Sequence, residues 1–86
     1  MEGEQTMLKI LQFTAPWCPT CPQMDIVLAG LRGLEKIELG TEAGDRLANE
    51  HRIGSLPTVI VMRDEEPVWR KSGLFPRGEI DEMLEG

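Results

Sequence analysis

The sequence predicts an α/β domain with the element order βαβαββα, a four-stranded mixed sheet and three helices that lie on both of its faces. Short apolar runs of strand length alternate along the chain with segments whose apolar residues recur every three or four positions. Two neighbouring strand candidates are separated only by a charged turn, which predicts a hairpin. Right-handed crossovers place the helices on both faces. With 86 residues the chain has the length of one domain, residues 1–86.

The first strand and the first helix meet at a pair of cysteines. Residues 8–13 form a nearly continuous apolar run, as in a central strand that is covered on both faces. From Pro22 onward the apolar spacing predicts an amphipathic helix that ends near Gly33. Its apolar residues are Met24, Val27, Leu28, Leu31 and Leu34. Cys18 and Cys21 therefore lie at the junction of a βα unit.

The middle of the chain predicts a second strand and a short helix. Residues 36–39 are the strand candidate. Thr41 is a candidate N-cap, because its side chain can accept a hydrogen bond from the first turn of a helix. The apolar positions of that helix are Ala43, Leu47 and Ala48.

The last third of the chain predicts a hairpin and a final helix. Residues 58–62 are rich in β-branched side chains, and residues 64–66 form a charged turn into a fourth strand at residues 68–72. Pro76 suits the first position of a helix. Its apolar stripe consists of Ile80, Met83 and Leu84.

Composition excludes several classes of function. The net charge is −6 and the nine Lys and Arg residues form no cluster, so we expect no nucleic-acid partner. Two cysteines and one histidine are too few for a disulfide framework or for a four-ligand zinc site within one chain, so no metal is predicted.

Membrane insertion and secretion are not predicted. No apolar run approaches the roughly 20 residues that span a bilayer. Residues 1–5 contain neither a basic region nor an apolar region of the kind that begins a signal peptide. We therefore expect a cytoplasmic protein, and in that compartment a vicinal dithiol is more often catalytic than structural.

The spacing of Cys18 and Cys21 suits thiol–disulfide exchange. Unpaired N–H groups and the positive end of the dipole at a helix start favour a thiolate. Cys18, at or beside the N-cap and expected to be partly exposed, is the candidate nucleophile. Cys21 lies one turn farther on the same side, from where it can resolve a mixed disulfide. No cationic residue flanks the motif, so we expect a contribution from a hydroxyl such as that of Thr20. A lone C-x-x-C also occurs in metal sites, but the βα context favours redox chemistry.

Two segments of the chain resemble the thioredoxin superfamily. They are residues 13–21, Phe-Thr-Ala-Pro-Trp-Cys-Pro-Thr-Cys, and residues 53–58, Ile-Gly-Ser-Leu-Pro-Thr. The length and the dipeptide Pro19-Thr20 look most like the small, glutaredoxin-sized thioredoxins. The resemblance implies a thioredoxin-like three-layer sandwich and a protein disulfide oxidoreductase. Its redox group would be the Cys18–Cys21 disulfide, with no other cofactor.

The resemblance also implies contacts with substrates. Pro57 would follow a cis peptide bond and face the dithiol. Trp17 and Pro19, beside the nucleophile, would belong to the docking surface. Leu56 and Thr58 would offer backbone groups to an extended partner segment by strand addition at the sheet edge.

The sequence indicates the role of Gly73 and the identity of the partners less directly. Gly73 is a candidate substrate contact by resemblance, although an unusual backbone conformation after the hairpin explains a glycine there equally well. Oxidised client proteins are the expected substrates, and the resemblance implies a flavin-containing disulfide reductase as electron donor. We expect a monomer.

One departure from the family concerns the resolving step. Thioredoxins usually carry a buried carboxylate six residues before the nucleophile, and here that residue is Gln12. A neutral amide cannot accept a proton. Deprotonation of Cys21 would then depend on water, on another carboxylate or on the departing Cys18 thiolate, and we expect a slower resolving step than in relatives.

Two other functions remain open. A glutathione-dependent glutaredoxin fits the length, Pro19 and residues 56–58, but Ser72-Gly73-Leu74 stands where many glutaredoxins have a double glycine. A protein of another class would share an iron–sulfur cluster between two chains through Cys18 or both cysteines, since such a cluster needs four ligands.

Overall fold

The computed structural model describes residues 7–85, so residues 1–5, which enter the prediction of a cytoplasmic protein, lie outside the described part. The elements follow the predicted order βαβαββα, and the predicted fold class is confirmed. They are β1 (Leu8–Thr14), α1 (Cys21–Leu28), β2 (Leu34–Glu38), α2 (Glu42–Glu50), β3 (Thr58–Arg63), β4 (Glu66–Ser72) and α3 (Arg77–Glu85). Between residues 7 and 85 the helices are too short or too polar to cross a bilayer.

The four strands form one mixed sheet in the order β2-β1-β3-β4. β1 pairs in parallel with β2 and antiparallel with β3, and β3 pairs antiparallel with β4. The two central strands, β1 and β3, are buried along most of their length, whereas the edge strands are largely exposed. Burial of β1 on both faces explains why its sequence is almost uniformly apolar.

The helices form two layers around this sheet. α1 and α3 pack on one face with Ile10, Val59 and Val61, and α2 packs on the other with Leu11, Phe13 and Ile37. Successive side chains of a strand point to opposite faces, so Gln12 shares the α1 face with Ile10, and Lys36 lies on the face opposite to Ile37. The two polar side chains are therefore directed toward α1.

The prediction that the first helix ends near Gly33 is wrong, because α1 ends at Leu28. Gly30 follows with a φ of +84°, which a helix does not accommodate. Leu31 and Leu34 still pack against the core under α1, but they reach it from a loop and from β2. Their helical spacing reflected burial in one core rather than a continuous helix.

Smaller boundary differences concern β2, β4 and α3. β2 covers Leu34–Glu38 rather than residues 36–39, and β4 begins at Glu66, inside the predicted turn. α3 begins at Arg77, directly after Pro76. The predicted cap of α2 is confirmed, since Thr41 Oγ1 accepts a hydrogen bond from the Gly44 N–H at 3.0 Å.

Candidate active site

The two cysteines lie where β1 passes into α1, joined in a disulfide with their Cα atoms 5.4 Å apart. β1 ends at Thr14, and a turn brings the Cys18 N–H to within 3.1 Å of the carbonyl oxygen of Ala15. α1 begins at Cys21 and its N-cap residue is Thr20, so the prediction that Cys18 lies at or beside the N-cap is wrong. Cys18 precedes the N-cap by two positions. The structure thus brings the two predicted site cysteines within bonding reach.

Cys18 is more buried than the sequence predicted. Cys18 is 7% exposed and Cys21 is 2% exposed, so the expectation of a partly exposed Cys18 is wrong. The disulfide packs with Ala15 beneath the side chains of Leu39 and Leu56, which cover it from the loops that follow β2 and precede β3. Cys18 remains the more accessible of the two sulfurs.

The first turn of α1 offers fewer unpaired amides than expected. The Cys21 N–H is directed at the carbonyl oxygen of Cys18 at 3.4 Å, Pro22 has no N–H, and the next two amides bond to the carbonyl oxygen of Thr20. The side-chain contact of Cys18 is the Thr20 hydroxyl, with Oγ1 3.8 Å from Sγ. The predicted hydroxyl neighbour of Cys18 is thus confirmed. Unpaired amides can contribute less than expected to the stabilisation of a thiolate.

An uncharged cleft lies on one side of the disulfide, with a volume of about 400 Å³. We call it the Trp17 cleft. Its walls include Trp17, Cys18, Pro19, Leu39, Ile53 and Leu56. Within the described part of the chain no Asp, Glu, Lys or Arg lines it. Three of the predicted substrate contacts, Trp17, Pro19 and Leu56, therefore lie together beside Cys18.

Trp17 forms an exposed wall of this cleft. Its side chain is 63% exposed, an unusual position for a large apolar ring. The ring rests against Gly40, where an added Cβ would lie 3.2 Å from the indole. A glycine at this position, with a φ of +96°, therefore supports the flat side of the cleft.

Pro57 and Gly73 are joined by a backbone hydrogen bond, and neither of these two predicted substrate contacts lines the Trp17 cleft. The Leu56–Pro57 peptide bond is cis, as the resemblance implied. Pro57 itself is buried, and its carbonyl oxygen accepts a hydrogen bond from the Gly73 N–H at 2.8 Å. Gly73 has a φ of +85°, so its backbone conformation accounts for the glycine, and the structure gives it no place in the wall of the Trp17 cleft.

Thr58 does not lie at a sheet edge, and the prediction that it offers backbone groups there is wrong. It pairs with Phe13 of β1 on one side and with Ser72 of β4 on the other. Its hydroxyl donates to the Ser55 carbonyl oxygen at 2.7 Å, and the residue is 1% exposed. β3 is an internal strand, so a partner segment has no free ladder to join at Thr58.

A second cleft, of about 270 Å³, lies on the α1 side of the disulfide. We call it the Asp25 cleft. Its walls include Cys18, Cys21, Pro22, Asp25, Lys36 and Glu38. Gln12 Nε2 donates to Asp25 Oδ1 at 2.6 Å, and Lys36 Nζ donates to Asp25 Oδ2 at 3.1 Å. Three ionisable side chains thus face the disulfide here.

Asp25 is the site residue that the sequence analysis missed. It follows Cys21 by four positions in α1, and residues at this spacing share one face of a helix. That spacing is the signal that would have found it.

Among residues 7–85 no three His, Cys, Asp or Glu side chains are grouped as ligands of a metal ion.

Comparison with known proteins assigns the family. The thioredoxin family model matches residues 3–86. The chain belongs to the thioredoxin family. A thioredoxin of Staphylococcus haemolyticus is 30% identical to it, over 98% of this chain and 86% of that protein. Relatives with this name and the bonded cysteine pair identify the chain as a thiol–disulfide oxidoreductase.

Solved structures agree on the fold. Thioredoxin-2, described as a component of the malaria parasite protein secretion machinery, matches with a TM-score of 0.78 and 25% identity, over 95% of this chain and 84% of that one. Oxidised thioredoxin O2 from Arabidopsis thaliana matches with a TM-score of 0.79, over 92% of this chain and 73% of that one. At 15% identity the second likeness is one of fold alone.

Proposed function

We propose that this protein reduces disulfide bonds of other proteins by dithiol exchange through Cys18-Pro19-Thr20-Cys21. The observation that carries the proposal is the bonded cysteine pair at the start of α1, with one sulfur beside an uncharged cleft. A pair that forms a disulfide within one chain can give up two electrons and return to the bonded state.

The exchange proceeds in two displacements. In the reduced protein the Cys18 thiolate attacks one sulfur of a client disulfide, and the other client sulfur leaves with the electron pair of the broken bond. Cys18 and the client are then joined in a mixed disulfide. The Cys21 thiolate attacks Cys18 Sγ, the second client sulfur leaves, and the Cys18–Cys21 bond forms. The dithiol loses two electrons and the client gains two thiols.

The Trp17 cleft is the proposed seat of the client segment. Its uncharged walls favour an apolar or neutral segment, because such a segment buries its surface there without desolvating a charge. Trp17 supplies a large, rigid surface of the kind that dominates many interfaces. Pro19 and Leu56 complete the walls on either side of Cys18.

The remaining assignments concern the cellular context. We infer that a flavin-containing disulfide reductase returns the Cys18–Cys21 disulfide to the dithiol, and that the protein works as a cytoplasmic monomer. Membership of the thioredoxin family is the ground for a reductase as donor, and a catalytic dithiol suits a compartment that keeps thiols reduced.

Two serine variants of the cysteines test the two assigned roles. The reduced protein is mixed with oxidised insulin, and both free thiols and covalent adducts are counted. Wild-type protein is expected to reduce insulin, Cys18→Ser to be inactive and free of adduct, and Cys21→Ser to accumulate an adduct through Cys18. Each variant is the matched control of the other, and reduction of insulin by Cys18→Ser would overturn the proposal.

A comparison of electron donors separates this function from the two alternatives. We expect a reductase driven by NADPH to sustain turnover and glutathione to do so poorly. Efficient turnover with glutathione alone would instead identify a glutaredoxin. A coloured, iron-containing dimer after anaerobic purification would identify a cluster-binding protein.

A further inference from the structure

The Cys21 thiol needs a proton acceptor other than Cys18, because in the mixed disulfide the Cys18 sulfur is bonded to the client and is not a thiolate. Only a thiolate attacks a disulfide, and Cys21 is 2% exposed, so bulk solvent has little direct access to it. Gln12, the buried residue of β1 at the position where thioredoxins usually carry a carboxylate, has an amide that cannot take up a proton. The Asp25 cleft, which Cys21 also lines, is where another acceptor can reach this thiol.

Asp25 is held in that cleft from two sides. The Gln12 amide donates to Oδ1 at 2.6 Å and the Lys36 ammonium donates to Oδ2 at 3.1 Å. Gln12 is 1% exposed, so the carboxylate is anchored to a rigid, buried strand. The position of Asp25 one turn after Cys21 places it on the side of α1 that faces the cleft.

The other ionisable groups of the cleft are poorer acceptors. β2 contributes Lys36 and Glu38, α1 contributes Asp25, and β1 contributes the uncharged Thr14. Lys36 is a cation and holds no free lone pair for a proton. Glu38 is an exposed side chain at the end of β2, whereas Asp25 is half-buried and fixed by two donors.

We propose that Asp25 accepts the proton of the Cys21 thiol in the resolving step, through water in the cleft, and that Gln12 and Lys36 are the residues that position it. A volume of about 270 Å³ admits several water molecules, since each occupies about 30 Å³ in the liquid. This inference rests on the proposed function, because it assigns the base for that function's second displacement.

In the resolving step the S–H bond of Cys21 breaks, and the proton passes along water molecules to the Asp25 carboxylate. The Cys21 sulfur attacks Cys18 Sγ, the Cys18–client bond breaks, and the client sulfur leaves as a thiolate. The protonated Asp25 then returns its proton to the departing thiolate or to solvent, so the carboxylate is regenerated. Electrons move only between the sulfurs.

The test follows the mixed disulfide directly. Reduced protein is mixed with oxidised glutathione over a range of pH, the reaction is quenched with acid, and intact masses give the amounts of the glutathione adduct and of the internal disulfide. Formation of the adduct reports attack by Cys18, and its decay reports attack by Cys21. The variants are Asp25→Asn and Asp25→Glu, with Glu38→Gln for the other carboxylate of the cleft. The matched control is Asp81→Asn, which removes a carboxylate of similar exposure, 43% against 39%, from an ion pair on α3.

Asp25→Asn is expected to slow decay of the adduct roughly 100-fold near neutral pH, the lower end of what a positioned proton acceptor contributes. Its decay rate should rise with hydroxide and approach that of wild type at alkaline pH, where the thiol ionises without help. Formation of the adduct should be unchanged, and Asp25→Glu, which keeps a carboxylate, should recover much of the rate. Glu38→Gln and Asp81→Asn should behave as wild type.

Several results would overturn the inference. The adduct of Asp25→Asn could decay at the wild-type rate, or its decay could be slowed equally at every pH, as a merely structural role would give. The decay rate could also fall further in Glu38→Gln than in Asp25→Asn. A failure of the Cys21→Ser protein to form any adduct would be a different result. It would remove Cys18 as nucleophile, and with it both the proposed function and this inference.

Discussion

The two clefts that flank the disulfide differ in almost every respect that matters for chemistry. The Trp17 cleft is the larger, about 400 Å³ against 270 Å³, and of the two cysteines only Cys18 lines it. Both cysteines line the Asp25 cleft, where Asp25, Lys36 and Glu38 supply charges that the described walls of the Trp17 cleft lack. One side of the disulfide suits the binding of a neutral surface, and the other suits the movement of protons.

In the proposed mechanism the two displacements therefore use opposite sides of the disulfide. Cys18, the proposed nucleophile, lines the cleft where a client can bury apolar surface. Of these two clefts, Cys21, the proposed resolving cysteine, lines only the one where a proton can leave. A change in one cleft should therefore alter one step and leave the other nearly intact.

Among substitutions around the Trp17 cleft and Cys18, the largest effect is expected from Trp17→Ala. Loss of an exposed aromatic anchor typically removes about 2 kcal/mol of binding energy, which raises the KM for a protein disulfide roughly 30-fold. Reaction with a small disulfide should hardly change, because a small molecule makes little use of the cleft. Steady-state reduction of insulin and of oxidised glutathione gives both values. The control is Ile26→Ala, which removes a side chain that is 76% exposed on α1. An equal loss with both substrates would break the distinction between the clefts.

A smaller effect is expected from Thr20→Val. The Thr20 hydroxyl is 3.8 Å from Cys18 Sγ, and in the reduced protein it can donate to the thiolate. Its removal should slow alkylation of Cys18 by iodoacetamide about fivefold, which corresponds to a hydrogen bond of about 1 kcal/mol. Thr20→Ser keeps the hydroxyl and should react as wild type does. Wild-type alkylation of Thr20→Val would show that this hydroxyl does not act on Cys18.

The smallest effect on activity is expected from Gly40→Ala, which disturbs the support of the Trp17 ring. The added Cβ would lie 3.2 Å from the indole, at a residue with a φ of +96°. We expect a loss of about 1 kcal/mol in the free energy of unfolding and a fall in Tm of roughly 4–8 °C. The KM for insulin should rise only two- to threefold, as an order-of-magnitude estimate for a ring that shifts but remains.

Gly78→Ala is the matched control for that substitution. Gly78 lies in α3, and an added Cβ there meets no atom within 4 Å. Thermal melting should show it to be as stable as wild type or slightly more stable, since alanine favours a helix. A lower Tm for Gly78→Ala than for Gly40→Ala would contradict the role given to Gly40.

The sequence predicted the elements and the cysteine pair because these depend on local patterns. β-branched residues mark β3, and the Thr41 cap of α2 depends on an atom three residues away. The end of α1 was missed because Leu31 and Leu34 keep helical spacing while packing from a loop and a strand. The spacing of these two leucines indicates that both are buried. Whether a buried residue belongs to a helix, a loop or a strand depends on the backbone conformation.

The contacts that could not be predicted are those between elements. The sequence predicts Thr58 at a sheet edge because the residues of a single strand do not show the strand order β2-β1-β3-β4. The Gln12–Asp25 hydrogen bond joins residues 13 positions apart and depends on how α1 docks on β1. The sequence shows Gln12 where thioredoxins usually carry a carboxylate, but it does not show that Gln12 holds the carboxylate of Asp25.

The equilibrium reduction potential of the Cys18–Cys21 couple tests the central claim most directly. It is measured by equilibrating the protein in a series of thiol–disulfide buffers and determining the oxidised fraction by mass. A protein that reduces clients must be the stronger donor, so we predict a value near that typical of thioredoxins, about −270 mV. A value near −120 mV, typical of strong disulfide oxidants, would show that electrons flow to Cys18 and Cys21 from their partners and would contradict the account.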